Sequence, residues 1–340
     1  MTFRGKLLLL LLLAGLLPAA GSSGQSREYK SLADLAAEKF ITREALQTDI
    51  SFLSGSFCQG RGASQAGLAE AGMWAVRQFK SAQLLPMDGT MCQTFIAGGH
   101  VCHNVVGMLP AKTPSYLSNG SYVIIMAHYD NLGVLDGKTY PGADSNASGV
   151  AVMNRLIRLF RYLGTSGVGL PQNIIFAALD GKQLSLAGAQ DLWSRVALGR
   201  LHDPVTGRAI RARDISAVIN LDILGGDSAP LHKTRKDYLI LLGGDKFNGL
   251  LQTTNLRKGT GLDLGLDYYG SKGFTDLFLN RVSDQKPFRE KGVWSVMFTS
   301  GITMDTNRES DTEEKINYDV LQKRTELIFH WIEQLLYLKR

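Results

Sequence analysis

Asn173-Ile-Ile-Phe-Ala-Ala-Leu-Asp-Gly-Lys-Gln-Leu-Ser-Leu-Ala-Gly188 changes character twice along its length. Ile174 to Leu179 is an unbroken apolar run, the pattern of a strand covered on both faces. Asp180-Gly181 stops the run with turn chemistry. Lys182-Gln183 then opens a helical pattern, which predicts a helix at about 184–198. Strand, turn and helix in that order put the turn where α/β sheets gather ligands and chemistry. Here that turn offers a cation and a neutral amide.

The same alternation runs outward from this stretch. Apolar runs at Ser121–Ala127, Ile215–Leu221, Tyr238–Leu242 and about 293–299 predict further buried strands. Helical periodicity marks about 31–54, 64–84, 147–164, 245–256 and 317–338. In the second of these, Leu68, Ala71, Trp74, Ala75 and Phe79 share one face. Strands near 91–97 and 102–109, joined at Ala97-Gly98-Gly99, read as a hairpin and bring antiparallel pairs to the first edge. A long loop is expected at 128–146. The reading is an α/β fold, a three-layer α/β/α sandwich with a mixed, mostly parallel central sheet. No internal repeat or linker divides residues 25–340, so one domain is expected there.

Residues 1–24 read as a signal peptide: Arg4 and Lys6, the apolar run Leu7–Leu17, then Ala19-Ala-Gly-Ser-Ser-Gly24. The expectation is an exported chain, periplasmic or secreted, starting near Ser22 to Gln25. No later stretch has the ~18 apolar residues of a membrane span, so no stable membrane insertion is expected. The formal charge is +6, and 35 basic against 31 acidic residues remain once Arg4 and Lys6 are set aside. The one basic run, His232-Lys-Thr-Arg-Lys236, reads as a solvated loop. Nucleic-acid binding needs a clustered basic face and is not expected. Cys58, Cys92 and Cys102 fit no paired zinc spacing; they are either buried thiols or one disulfide and one thiol. Asn119 and Asn146 match the Asn-x-Ser acceptor pattern.

Several core strands end in polar groups. Met126-Ala-His128-Tyr-Asp130 follows one, Lys182-Gln183 another, and Asn220-Leu-Asp222 closes a third. Phe298-Thr-Ser-Gly301 closes a fourth, and the loop beyond it holds Asp305, Asn307 and Asp311. Asp144 stands just before a helix start in Tyr140-Pro-Gly-Ala-Asp-Ser-Asn-Ala-Ser-Gly149. Adjacent strand ends would let His128, Asp144 and Asp222 converge, and an imidazole with carboxylates is a zinc ligand set. Asp130 would orient the His128 ring as its second partner.

His128-Tyr-Asp130 with Tyr140-Pro-Gly-Ala-Asp144, Asn220-Leu-Asp222, Ser283-Asp284-Gln285-Lys-Pro-Phe288 and Ser310-Asp311-Thr312 resembles the di-zinc aminopeptidases and their glutaminyl cyclase relatives, from about residue 40 to 338. The resemblance implies that Asp144 matches a carboxylate bridging two zinc ions and that His128 and Asp222 match the rest of the first site. It also implies a general-base Glu at Lys182, and a Glu and a His of the second site at Gln183 and Asn307. This chain departs at all three.

Those departures carry chemical consequences. Amide oxygens bind zinc weakly, so the second site should be lost and at most one zinc held per chain. A lysine near its ordinary pKa of ~10.4 is an ammonium and no base. Carboxylate neighbours hold it charged, so Lys182 is expected within ion-pair reach of Asp144 or Asp222, neutralising buried charge. The function expected is that of a non-catalytic relative of exported aminopeptidases, its cleft kept for a peptide or protein partner. The alternative is a one-metal amide hydrolase using His128, Asp144 and Asp222, with Asp130 or Asp305 as base. Glutaminyl-cyclase chemistry is the weaker third reading, because of the positions matching its zinc only Asp144 is a good ligand. Trp193 and Trp331 read as core, and Tyr268, Tyr269 and Phe274 as an aromatic wall in a loop lining the cleft.

Overall fold

A computed structural model describes residues 30–112, 121–167, 169–227 and 236–338. The expected signal peptide, the Asn119 acceptor and all but Lys236 of the basic run lie outside the described residues. The strands are β1 (Leu85–Pro86), β2 (Cys92–Ala97), β3 (His100–Leu109), β4 (Tyr122–His128), β5 (Gly133–Leu135), β6 (Lys138–Tyr140), β7 (Asn173–Leu179), β8 (Ile215–Leu221), β9 (Tyr238–Leu242), β10 (Asp263–Gly265) and β11 (Ser295–Thr299). The helices are α1 (Leu32–Phe40), α2 (Arg43–Ser54), α3 (Ala66–Ser81), α4 (Gly149–Thr165), α5 (Ala187–Ala197), α6 (Asn248–Lys258), α7 (Lys272–Asn280), α8 (Lys286–Arg289) and α9 (Tyr318–Tyr337).

Among the described residues, nine strands form one mixed sheet in the order β1-β3-β7-β4-β8-β11-β9-β10, with β2 also paired to β3. The four central strands β7, β4, β8 and β11 run parallel. Antiparallel pairing begins at β3 on one side and at β9 on the other. Side chains alternate across the pleat of β4. Val123, Ile125 and Ala127 pack into the core under α1–α4, α6 and α9, whereas Tyr122, Ile124 and Met126 face α5 and α8. This is the three-layer sandwich, and it explains why these strands carry no polar face. Each buried branched side chain contributes roughly 1.5–3 kcal/mol of stabilisation.

Several boundaries differ from those expected. The helix expected over 31–54 is two helices, broken at Ile41–Thr42, where the Thr42 hydroxyl accepts from the Ala45 amide and caps α2. The loop expected at 128–146 contains the β5–β6 hairpin. The helix expected from 184 starts at Ala187, after an irregular turn. Phe274 lies on α7 rather than in a loop. Trp331 is fully buried, and Trp193 packs edge-on against Phe288 with centroids 5.4 Å apart. All three cysteines are free thiols, with Cys58 and Cys102 buried. Asn146 is fully buried, and its amide donates to the carbonyl of Leu221 at 2.9 Å, so it is no glycosylation acceptor in the folded chain.

Two fully buried arginines tie loops to this frame. Arg61 donates to the backbone carbonyls of Tyr129 (2.7 Å), Pro141 and Gly142 (2.8 Å each) and Leu53. Arg324, on α9, donates to the carbonyls of Leu224 (2.6 Å), Gly226 (2.7 Å), Tyr238 (3.1 Å) and Lys236 (3.3 Å). The planar guanidinium has five donors in fixed directions, which suits it to gathering carbonyls from separate segments. Both sets of loops surround the carboxyl ends of the central strands.

Candidate functional site

The carboxyl ends of β4, β7 and β8 are neighbours, and each delivers one ionisable side chain. His128 is the last residue of β4, Asp222 follows β8, and Lys182 lies in the turn after β7. That turn is held by Asp180, whose carboxylate accepts from the amides of Gly181 (2.6 Å) and His103 (2.9 Å). Gly181 takes φ +71°, and a Cβ on Gly188 would lie 2.2 Å from the Asp180 carbonyl oxygen, so both positions require glycine. The turn thus directs Lys182 back over the sheet edge.

The ammonium of Lys182 lies 2.8 Å from Asp222 Oδ2 and 3.5 Å from Asp284 Oδ2. His128 Nε2 approaches Asp222 Oδ1 at 3.3 Å, and Nδ1 donates to the backbone carbonyl of Asp130 at 3.0 Å. The Asp130 carboxylate is 3.5 Å from Nδ1, and its other oxygen accepts from the Gln183 amide at 3.1 Å. The ring is therefore oriented chiefly by the main chain of Asp130. Asp284 comes from the turn between α7 and α8. It is fixed by its neighbour Gln285, which accepts from Asn220 Nδ2 (3.0 Å) and donates to the carbonyls of Phe278 (2.8 Å) and Leu279 (3.0 Å).

Electrostatics follow from this packing. Burial and the Lys182 ammonium both push the His128 imidazole toward neutrality, but Asp222 and Asp130 outweigh them and its pKa is raised to about 9. Burial likewise disfavours the Lys182 ammonium, yet Asp222 and Asp284 hold its pKa above the ordinary value. Asp222 is pulled below the usual carboxylate range, because Lys182 and His128 overcome its desolvation. Burial raises Asp284 despite the same two cations. The Asp222 carboxylate thus holds Lys182 and His128 toward their charged forms, and neither is a base at neutral pH.

Asp144 is not among the three residues, His128, Asp222 and Asp284, whose donor atoms lie within 4.8 Å of one another. Its Oδ1 accepts from the Gly225 amide (2.7 Å) and the Ser148 hydroxyl (3.1 Å). Oδ2 is buried without a hydrogen-bond partner among the described residues, and a Cβ on Gly226 would approach it to 2.6 Å. Its backbone amide and that of Ser145 donate to Asp311 at 2.8 and 3.0 Å. Burial and the Asp311 charge raise the Asp144 pKa. Gln183 and Asn307 are exposed, and Asn307 has φ +62°. Asp305 accepts from the Ser310 hydroxyl at 2.6 Å and lies 3.9 Å from Lys315. Tyr268 is buried, stacks on Phe278 at 4.6 Å and accepts from the Ile302 amide, so it is packing rather than an open wall. Asp284 was missed as a member of the site. Its only signal was the Ser283-Asp284-Gln285 segment noted for the family resemblance.

The sequence profile of peptidase family M28 matches residues 104–332, about two-thirds of the 340 residues. The chain belongs to peptidase family M28. Solved structures share its fold. Macrostomum lignano glutaminyl cyclase superposes with TM-score 0.68 at 16% identity, covering 92% of this chain and 94% of that one. The LapA aminopeptidase of Legionella pneumophila superposes with TM-score 0.66 at 15% identity, covering 91% and 75%. Among curated proteins, the Gallus gallus BOS complex subunit NCLN is 35% identical over 115 residues, 33% of this chain and 19% of that protein. The chain therefore matches about a fifth of the length of that relative.

One solved structure of the same fold is BSAP, a zinc aminopeptidase from Bacillus subtilis, which raises the question of whether the donor set of this chain suits zinc. Among the described residues, His128, Asp222 and Asp284 are the one trio whose donor atoms lie within 4.8 Å of one another. Three donors suffice in number for a catalytic zinc. The charge does not suit it: the Lys182 ammonium already contacts both carboxylates, Asp222 at 2.8 Å and Asp284 at 3.5 Å. The residues as arranged do not fit a zinc ion.

Proposed function

We propose that this M28 chain is a non-catalytic relative of the exported zinc aminopeptidases that serves by binding a peptide or protein partner. The observation that carries this reading is the 2.8 Å contact between the Lys182 ammonium and Asp222. It puts a fixed cation against a carboxylate on which metal chemistry would depend, and a cation is no general base. The description of its curated relatives as subunits of a complex supports a role through protein partners. Export to the periplasm or the exterior follows from the signal-like segment at residues 1–24, and fractionation of cells expressing the full chain tests it.

The enzymatic test is a panel of aminoacyl chromogenic substrates with added zinc, cobalt or manganese. We expect no turnover, and elemental analysis should find at most one transition metal per chain. The triple variant Lys182→Glu/Gln183→Glu/Asn307→His should gain metal. Turnover by the wild-type chain that disappears in Asp222→Asn would instead establish a one-metal hydrolase.

A further inference from the structure

A cleft of about 680 Å³ opens at the opposite end of the sheet from His128, Lys182 and Asp222. Its walls include the start of β8 and the two residues that precede β11. A strand of seven residues separates the two ends by about 20 Å. The cleft shares no residue with the site already described.

The chemistry of its lining is uneven. Arg213, Lys246 and Lys291 stand around it, all exposed, and among the described residues no acidic one lines it. Of the neighbouring acids, Asp214 accepts from the Arg211 amide at 2.9 Å, Glu290 lies 3.9 Å from Lys286, and Asp245 is exposed beside Lys246. Below the cations the wall is apolar. Phe247 and Trp294 meet edge to face with centroids 4.8 Å apart, and Leu335 is buried beside them. The Trp294 indole donates to the Gly243 carbonyl at 3.2 Å, which fixes its ring. Lys246 Nζ stands 5.3 Å from the Phe247 centroid, at the boundary between the charged and apolar parts.

Three like charges line one cleft with no carboxylate among its described lining residues, so an anion placed there meets only favourable charges. Aromatic and aliphatic surface held beneath them is matched by hydrocarbon. The volume falls within the usual ~300–1,000 Å³ of small-molecule pockets. We infer that this cleft binds a single-chain anionic amphiphile, its carboxylate or phosphate head among Arg213, Lys246 and Lys291 and its tail along Phe247, Trp294 and Leu335. This inference does not depend on the absence of catalysis at the other end of the sheet.

Isothermal titration calorimetry of the full chain tests it, with laurate and dodecyl phosphate below their micelle-forming concentrations. Both should bind one per chain, and octyl phosphate more weakly than dodecyl phosphate. The variant Arg213→Ala/Lys246→Ala/Lys291→Ala should lose roughly tenfold or more in affinity while melting as the wild type does. Equal affinity in that variant would overturn the inference. So would equal binding of dodecyl maltoside or dodecyltrimethylammonium, equal binding of inorganic phosphate alone, or binding confined to anionic vesicles.

Discussion

Lys182 Nζ and Asp222 Oδ2, from the turns after β7 and β8, the two parallel strands that flank β4, lie 2.8 Å apart beneath a surface that leaves their side chains 14% and 5% exposed. The pair is a structural unit before it is anything chemical. Removing one partner of a buried ion pair costs ~3–5 kcal/mol; without Lys182, Asp222 would keep only the His128 ring at 3.3 Å and Asp284 would lose its ion pair. Lys182→Met should therefore lower unfolding stability by about 3 kcal/mol or more, measured by urea denaturation. A loss below about 1 kcal/mol would show that the ammonium does not neutralise buried charge.

The His128 imidazole has a folded pKa of about 9 against an ordinary 6.5. Between those values the folded chain holds a proton that the unfolded chain lacks. The resulting stabilisation is fully present below pH ~6.5 and is lost as the pH rises toward about 9. Unfolding midpoints should fall from pH 6 to pH 8, a window chosen below the range where unfolded thiols ionise at ~8.5. His128→Gln should flatten that slope; an unchanged slope would assign it to other groups.

Arg61 satisfies four carbonyls from three segments while fully buried. Lysine keeps the charge but cannot reproduce the fork. Arg61→Lys should cost about 3 kcal/mol or more, because each abandoned buried carbonyl costs ~1–3 kcal/mol. Stability close to wild type in denaturant titrations would contradict this.

Three free thiols make a direct chemical prediction. Under denaturing, non-reducing conditions, mass spectrometry should show three alkylated cysteines per chain. In the native state Cys58 and Cys102 should resist alkylation, since both are buried and burial pushes their pKa values up to about 11. Two missing alkylations in the denatured chain would indicate a disulfide instead.

The central sheet was legible because parallel strands covered on both faces must be apolar throughout, as β4, β7 and β8 are. The meeting of Lys182 with Asp222 was legible through the family resemblance, which placed both at one site; in the fold β4 separates their strands, and the turn after β7 carries Lys182 across to Asp222. Side-chain direction was not. Asp144 stands at the expected place in the chain, but its carboxylate turns to Gly225 and Ser148, a choice made by the loop after β8. Asp284 arrives through the α7–α8 turn and the Gln285–Asn220 hydrogen bond, a contact across 65 positions that leaves no local pattern. The break between α1 and α2 was hidden because both helices bury apolar residues in the same core. The three-residue strands β5, β6 and β10 are too short for alternation to be read.

A metal ion at a strand end comes and goes with the composition of its surroundings, and a protein that relies on one is stabilised in proportion to the free ion. The cation beside Asp222 is attached to the backbone through a lysine side chain. Its local concentration is set by the fold alone. A chelator should leave the melting temperature of this chain where it was, and the carboxylates at the head of the sheet are balanced from the moment the strands align.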